Sequence, residues 1–290
     1  GETGDRPRFS ATNAHLGNCG LSPVSAVSVS NLRTQMNHIL TENKDGVLRI
    51  EIDRPDKKNA LTAAMYQAMA DAIKSAEADA KVRVVLIHGK ADLFTAGNDL
   101  HDFLDNPPRD DNRPVFQFLY AISQAQKPIV AAVAGAAVGI GTTMLLHCDL
   151  VYAAPNARLQ LPFVNLGLVP EAASSLLLPA LIGYQRAAEL LLLGESFSAQ
   201  KARDIGLVTE VVSEEQLFDT AMAQAKKLAS KPAASLRLTK RLMKQGQAAA
   251  VAQQIKLESG HFGERLGSPE AKEAFSAFLE KRKPDFSRFD

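Results

Sequence analysis

Tryptophan is absent from this sequence, all aromatic residues together make up 6%, and cysteine occurs only as Cys19 and Cys148. Two cysteines cannot build a disulfide framework, which excludes the small cross-linked secreted class and points to a reducing compartment. Cys148, inside the apolar stretch MLLHCDLVYAA, reads as a small buried thiol. An excess of one charge is also lacking. The 33 Lys and Arg against 32 Asp and Glu leave a net +1, so nothing argues for nucleic acid or a membrane surface as partner. No uninterrupted apolar run is long enough to cross a bilayer. The nearest, LLLPALIGYQRAAELLLLG, is broken by Gln185, Arg186 and Glu189. The six histidines show no ligand spacing, so no metal site is expected. The terminal RFD is no organelle address, and a cytoplasmic location is expected.

What is present is ordinary globular composition, 46% hydrophobic over 290 residues, enough for one large domain. Residues 1–35, rich in Ser, Asn and Ala and without periodicity, read as a disordered leader, native or appended. A core follows over 36–230 and a helical region over 231–290. GVLRIEIDRP (46–55) alternates as a strand and leads into the basic turn DKKNAL. Thr62 to Ala80 has helical spacing with Thr62 as N-cap, and VRVVLIHGK (82–90) reads as a buried strand. LFTAGNDL (93–100) reads as a short strand breaking at Gly97, and the Pro-rich 107–114 as a loop. A helix to about Gln126, the strand PIVAAVAG (128–135), a helix from near Gly139 and the strand CDLVYAAP follow. From about Ser198 the chain reads as almost entirely helical. This alternation predicts an α/β fold.

Two stretches invite chemistry. In PIVAAVAGAAVGIGTTMLLH a strand, a glycine-rich turn and a helix follow one another, the layout of a dinucleotide site. Met144 stands where the third glycine or alanine belongs, and no acidic residue ends a second strand. The turn still suits close helix packing or an oxyanion, because small residues expose unpaired N–H groups at the helix start. AGNDL offers a second outward-facing N–H. Asp99 reads as a turn or cap residue there, and His88 as a satisfied strand-end histidine.

The second stretch, LPFVNLGLVPEAASS, holds Glu171 as its lone ionisable group. An unpaired carboxylate is costly to bury, so Glu171 is solvated, a first-turn helix residue after Pro170, or kept for a shifted proton affinity.

Together RPDKKNALT, VRVVLIHG, LFTAGNDLHDF, KPIVAAVAGAAVGIGTTMLLHCDLVYAA, LPFVNLGLVPEAASS, GLVTEVV and FLEKRK resemble the crotonase, or enoyl-CoA hydratase/isomerase, superfamily. The resemblance implies a spiral of ββα units with a helical C-terminal trimerisation region, and a homo-oligomer, either a trimer or a dimer of trimers. It implies an acyl-CoA thioester as substrate, with no cofactor beyond the CoA that the substrate itself carries. It also implies an oxyanion hole made by the backbone N–H groups of Asn98 and Ile140. The family's hydratases use two glutamates, but here Thr143 and Phe163 stand at those positions, and neither serves as acid or base near neutral pH.

LPFVNLGLVPEAASS is similar instead to the Δ3,Δ2-enoyl-CoA isomerase branch, which uses one carboxylate and acts in fatty-acid β-oxidation. That implies Glu171 as proton shuttle, with a pKa raised by burial, and Phe163, Val164 and Leu168 as an apolar wall. Lys57, Lys58 and Ala60 match the segment near the nucleotide end of CoA. Ala96, Gly97, Asp99, Leu100 and Gly139 match positions that flank the thioester, pantetheine and adenine. Phe278 and Lys281 match a segment that reaches a neighbouring subunit's CoA. A hydratase with displaced acid–base groups and a non-catalytic acyl-CoA-binding protein are the competing readings.

Overall fold

A computed structural model describes residue 1 and residues 33–90, 93–105 and 113–289. Most of the leader expected over 1–35 and most of the loop expected over 107–114 therefore lie outside the described residues. The end of the leader, from Arg33, is not irregular but forms a strand paired with residues 39–42.

The strands are β1 (Arg33–Met36), β2 (Ile39–Lys44), β3 (Val47–Ile52), β4 (Val84–Gly89), β5 (Ile129–Val133), β6 (Ala136–Val138), β7 (Leu150–Ala153), β8 (Arg158–Gln160), β9 (Phe197–Ser198) and β10 (Glu210–Val211). The helices are α1 (Ala63–Ala78), α2 (Leu100–Asp105), α3 (Pro114–Gln124), α4 (Ile140–Thr143), α5 (Ser174–Ile182), α6 (Tyr184–Leu193), α7 (Ala199–Asp204), α8 (Glu214–Ala229), α9 (Ala233–Lys244), α10 (Ala248–Leu266) and α11 (Pro269–Leu279).

Among the described residues β1, β2, β3, β4, β5, β7 and β10 form one sheet in that order. It is antiparallel from β1 to β3 and parallel from β3 onward. Its central parallel strands β4 and β5 are mostly apolar on both faces because both faces are covered. In β4 the side chains alternate. Val85 and Ile87 join Met65, Met69 and Ile73 of α1 and Phe118, Leu119 and Ile122 of α3. Val84 and Leu86 face the other way, onto Leu217, Ala221 and Ala225 of α8. Each such side chain removed from water contributes about 1.5–3 kcal/mol, so the two faces together fix the register of the sheet. Thr62 caps α1 as expected, its Oγ1 accepting from Met65 N at 3.3 Å.

A second, smaller layer carries the site. β6 runs parallel to β8, which pairs antiparallel with β9. Bridges Thr95–Ala137 and Leu61–Asn98 extend this row, both parallel. Each turn of the chain thus lays one strand in the large sheet, one short rung in the small layer, and then a helix, which is the expected ββα spiral. The stretch LFTAGNDL, expected as a strand, supplies only these isolated bridges. The helix expected from Gly139 is α4, followed by a 3-10 turn over Met144–His147. The last third is helical apart from β10 and the end of β9.

Candidate active site

The rung row sets residues 95–98 beside 136–140. Thr95 N donates to Ala136 O (2.8 Å) and Val138 N to Thr95 O (3.1 Å). Each segment then leaves the row at a glycine. Gly97 has φ +91°, and a Cβ there would lie 2.8 Å from Val138 O. Gly139 has φ +55° and ψ −116°. Side chains are strained at both positions, at Gly97 by collision as well as by backbone conformation. Just after these turns, the N–H groups of Asn98 and Ile140 have no acceptor among the described residues.

The turns open on a cavity of about 490 Å³. Ala96, Gly97, Asn98 and Gly139 line one side, and Phe163, Leu168 and Glu171 another. Lys57, Lys58, Ala60, Asp99, Leu100 and Phe278 also line it, so the structure gathers nearly every residue singled out in the sequence. The exceptions are instructive. Ile140 is wholly buried and does not itself line the cavity; it directly follows Gly139, which does. Lys281 is exposed, with φ +55°, and does not line the cavity. Val164, expected in the apolar wall, does not line it either and is 43% exposed. It sits in a short 3-10 turn, Val164–Leu166, that carries Leu166 to the cavity in its stead.

Glu171 is 7% exposed, and its Oε1 has no hydrogen-bond partner among the described residues. Burial, and secondarily the charge of Glu258, push its pKa from 4.5 up to about 8. It is not in the first turn of a helix, as its place after Pro170 suggested. Ala172 and Ala173 intervene with φ of 60° and 57°, and α5 begins at Ser174. Left-handed backbone costs an alanine about 1–2 kcal/mol, so this turn must be held from outside. His147 Nε2 donates to Ala172 O (2.8 Å), and burial drops the His147 pKa to about 4, keeping the ring neutral. Glu258 of α10 accepts from Ala173 N (2.6 Å) and Ser175 N (3.0 Å), and the Ser175 hydroxyl also donates to it.

Among the described residues, the other carboxylate lining the cavity is Asp99, and it is committed elsewhere. Arg54 Nη1 donates to Asp99 Oδ2 at 2.7 Å, while His101 N and Asp102 N donate to Oδ1 at 3.1 and 3.2 Å. Burial alone would raise its pKa, but these bonds hold it below the ordinary carboxylate value. Asp99 is the cap residue that the sequence suggested. Thr143, fully buried, does not line the cavity, and its hydroxyl is without a partner among the described residues. His88 is only half satisfied: Nδ1 lies 2.9 Å from Gly89 O and Nε2 is unpaired. Burial pushes the Cys148 thiol up to about 12.

Sequence reasoning missed Tyr66, Glu258, Phe262 and Phe275. The Tyr66 hydroxyl donates to Asn98 Oδ1, tying α1 to the turn whose N–H faces the cavity. Burial first, and the Glu171 charge second, raise the Tyr66 pKa well above 10.0, so the phenol stays a donor. Tyr66→Phe is expected to lower unfolding free energy by about 1 kcal/mol, measured by urea denaturation; no change would remove this tie from the account. Phe262 and Phe275 reach the cavity from α10 and α11. Their helical spacing reads equally as plain core.

The arrangement can hold a polarised carbonyl oxygen between two amides, with an elevated-pKa carboxylate beside an apolar chain. Among the described residues no cluster of three His, Cys, Asp or Glu is placed to hold a metal ion. None of the helices is long and apolar enough to cross a membrane, again among the described residues.

Comparison with known proteins adds an independent view. The family model described as enoyl-CoA hydratase/isomerase matches residues 42–288. The 1,2-epoxyphenylacetyl-CoA isomerase of Escherichia coli is 34% identical over 261 residues, covering 87% of this chain and 99% of that protein. The rat enoyl-CoA delta isomerase 2 is 36% identical over 215 residues, covering 72% of this chain and 55% of that longer protein. Among solved structures, an enoyl-CoA hydratase/isomerase from Pseudoalteromonas atlantica superposes with a TM-score of 0.83 at 43% identity, covering 86% of this chain and 99% of that one. Proteins named as hydratases also match at similar identity.

Proposed function

The chain belongs to the enoyl-CoA hydratase/isomerase family, and we propose that within it the protein moves the double bond of a 3-enoyl-CoA to the 2-position. The observation that carries this reading is the solitary free carboxylate. Glu171 lines the cavity with an unpartnered oxygen, whereas the two positions that hold acid and base in hydratases are a buried threonine and a phenylalanine.

The thioester oxygen accepts from Asn98 N–H and Ile140 N–H. Glu171, ionised, takes a proton from C2: the C–H bond breaks and its electrons spread over a dienolate whose charge rests on that oxygen. Glu171 then returns the proton to C4, the C2–C3 double bond forms, and water is neither consumed nor released. Each amide of such a pair contributes about 3 kcal/mol to the barrier reduction. Phe163 and Leu168 keep water from the dienolate. Lys57 and Lys58, both exposed, would meet the CoA phosphates, with Ala60, Ala96 and Leu100 beside its pantetheine and adenine. The reaction places the protein in fatty-acid β-oxidation.

We also propose a homo-oligomer. Leu192, Leu193, Leu238, Leu242 and Met243 expose half or more of their surface on α6 and α9, and large apolar side chains gathered at a surface are what an interface between subunits would cover. Lys281 would then serve a neighbour's CoA, whereas Phe278 lines the subunit's own cavity.

Assaying the purified protein against 3-enoyl- and 2-enoyl-CoAs of several chain lengths tests the reading. Conversion of 3-enoyl to 2-enoyl thioester is expected, with kcat/KM rising tenfold per pH unit and levelling off above about pH 8, where Glu171 is ionised. Robust hydration of 2-enoyl-CoA without isomerisation, or a flat profile from pH 5 to 8, would contradict it.

A further inference from the structure

The turn that aims Glu171 is held by a group 87 positions later in the chain, and that group carries a charge. We propose that Glu258 is the positioning residue of this site: by accepting from the amides of Ala173, the second of the two left-handed alanines, and of Ser175 just beyond it, it fixes the direction in which Glu171 faces the cavity. The proposal rests on the reading of Glu171 as the base.

The geometry is specific. Glu258 is 5% exposed, yet it finds three donors on one short segment: Ala173 N, Ser175 N and the Ser175 hydroxyl. Both of its oxygens are used, so it grips the start of α5 as a two-pronged acceptor rather than as a single cap. Ser174 completes the turn from within, its N and Oγ donating to Glu171 O at 3.0 and 2.6 Å. Gln254, one turn earlier on α10, donates to Ser175 Oγ at 2.8 Å and orients that hydroxyl. The path from Glu258 to Glu171 is therefore continuous: carboxylate, Ala173 and Ser175 amides, two left-handed alanines, base. The Cβ atoms of those alanines are buried, which leaves the turn little room to relax another way.

A residue whose only task was to cap α5 would not need to be charged. Next to a buried base, a second carboxylate is electrostatically unfavourable for an ionised Glu171, and Glu258 contributes to the upward shift noted above. Burial likewise raises Glu258, while its bonds to Ser175 and Ala173 act in the opposite direction. The remaining groups around the pair do not compensate. Tyr66 of α1 is a neutral phenol, and His147 behind Ala172 is neutral, with Lys244 of α9 bonded to the His147 carbonyl at 3.1 Å rather than to either carboxylate. Across the cavity Asp99 is paired with Arg54, and Lys57, Lys58 and His101 complete the charged or titratable lining. Glu258 thus does two things with one side chain: it orients the base and raises its proton affinity.

Glu258→Gln tests this, read in two ways. Glutamine can accept one of the amides but presents an N–H₂ to the other, so the turn shifts. The expected result is a fall in kcat for 3-enoyl-CoA isomerisation of about 10- to 100-fold, with KM within about twofold of the parent because the groups facing the thioester oxygen and CoA are untouched. The second reading needs no substrate. The carboxyl band of Glu171, assigned by its loss in Glu171→Gln, is titrated by infrared difference spectroscopy, and its midpoint is expected to move to lower pH once the neighbouring charge is gone. Should Glu258→Gln fail to fold, Ser175→Ala, which removes one donor and leaves the carboxylate in place, is expected to lower kcat by less than Glu258→Gln while KM stays within about twofold of the parent. An unchanged midpoint with unchanged kcat, or a rise in KM alone, would overturn the proposal. If the parent protein does not isomerise 3-enoyl-CoAs at all, the proposed reaction fails, and the infrared midpoint alone still decides whether Glu258 governs Glu171.

Discussion

Glu171→Gln is expected to lower kcat for 3-enoyl-CoA isomerisation by about 10³-fold or more, the upper range for loss of a positioned base, while acyl-CoA affinity stays close to that of the parent. The amide cannot accept a C2 proton, yet it fills the same volume against Phe163 and Leu168, and the Asn98 and Ile140 amides still hold the thioester. Steady-state kinetics with a parallel binding titration check this; activity within tenfold of the parent would mean another group takes the proton.

The same substitution carries a stability signature of known sign. The folded-state pKa of about 8 lies above the ordinary 4.5, so between those values the folded protein binds a proton that the unfolded chain has released. Stability of the parent therefore falls as pH rises from about 4.5 to 8, by on the order of a few kcal/mol in all. Glutamine at 171 has no such dependence. The melting temperature of Glu171→Gln is expected to exceed the parent's increasingly from pH 6 to about pH 8, and by a steady margin above that.

Gly97→Ala should be nearly as damaging to activity, by a different route. Its added Cβ would lie 2.8 Å from Val138 O, against backbone that cannot swing aside, at φ +91° where alanine is already strained. Relief means separating the 95–98 rung from the 136–138 rung, which spreads the two amides that must converge on one oxygen. A misplacement of about 1 Å costs on the order of 10²-fold in kcat. Gly139→Ala is a milder comparison, since nothing lies within 4 Å of its added Cβ and only the backbone conformation resists it. A Gly97→Ala variant with full activity would show that the two turns do not act as a unit.

How much of this was legible beforehand follows the range of each interaction. The strand β4 stood out because burial on both faces requires an apolar run, and the Thr62 cap because its bond is local. The glycines at 97 and 139 marked turns that only glycine makes easily, and the expected rise in the Glu171 pKa followed from its apolar neighbours alone. The two-to-three-residue strands β6, β8, β9 and β10 were not seen, being too short for alternation to register. LFTAGNDL did not become a strand, because its backbone hydrogen bonds divide between Lys58 and Leu61 on one side and Ala134, Ala136 and Val138 on the other. The turn at Ala172 and Ala173 left no trace either. Alanine normally favours the right-handed helix, and what overrides it is a histidine 25 residues earlier and a glutamate 85 residues later. In QQIKLESGHFGERL that glutamate reads as one more charge on a helix, and Tyr66 on α1 as one more core aromatic.

The claim on which the account turns is that one carboxylate carries one proton from C2 to C4 within a dry cavity. The direct measurement is the fate of label when a 3-enoyl-CoA deuterated at C2 is converted in ordinary water and the product is read by NMR at C4. Deuterium retained at C4 in most of the product is the predicted result. Complete replacement by solvent hydrogen, or a 3-hydroxyacyl-CoA as the main product, would contradict it.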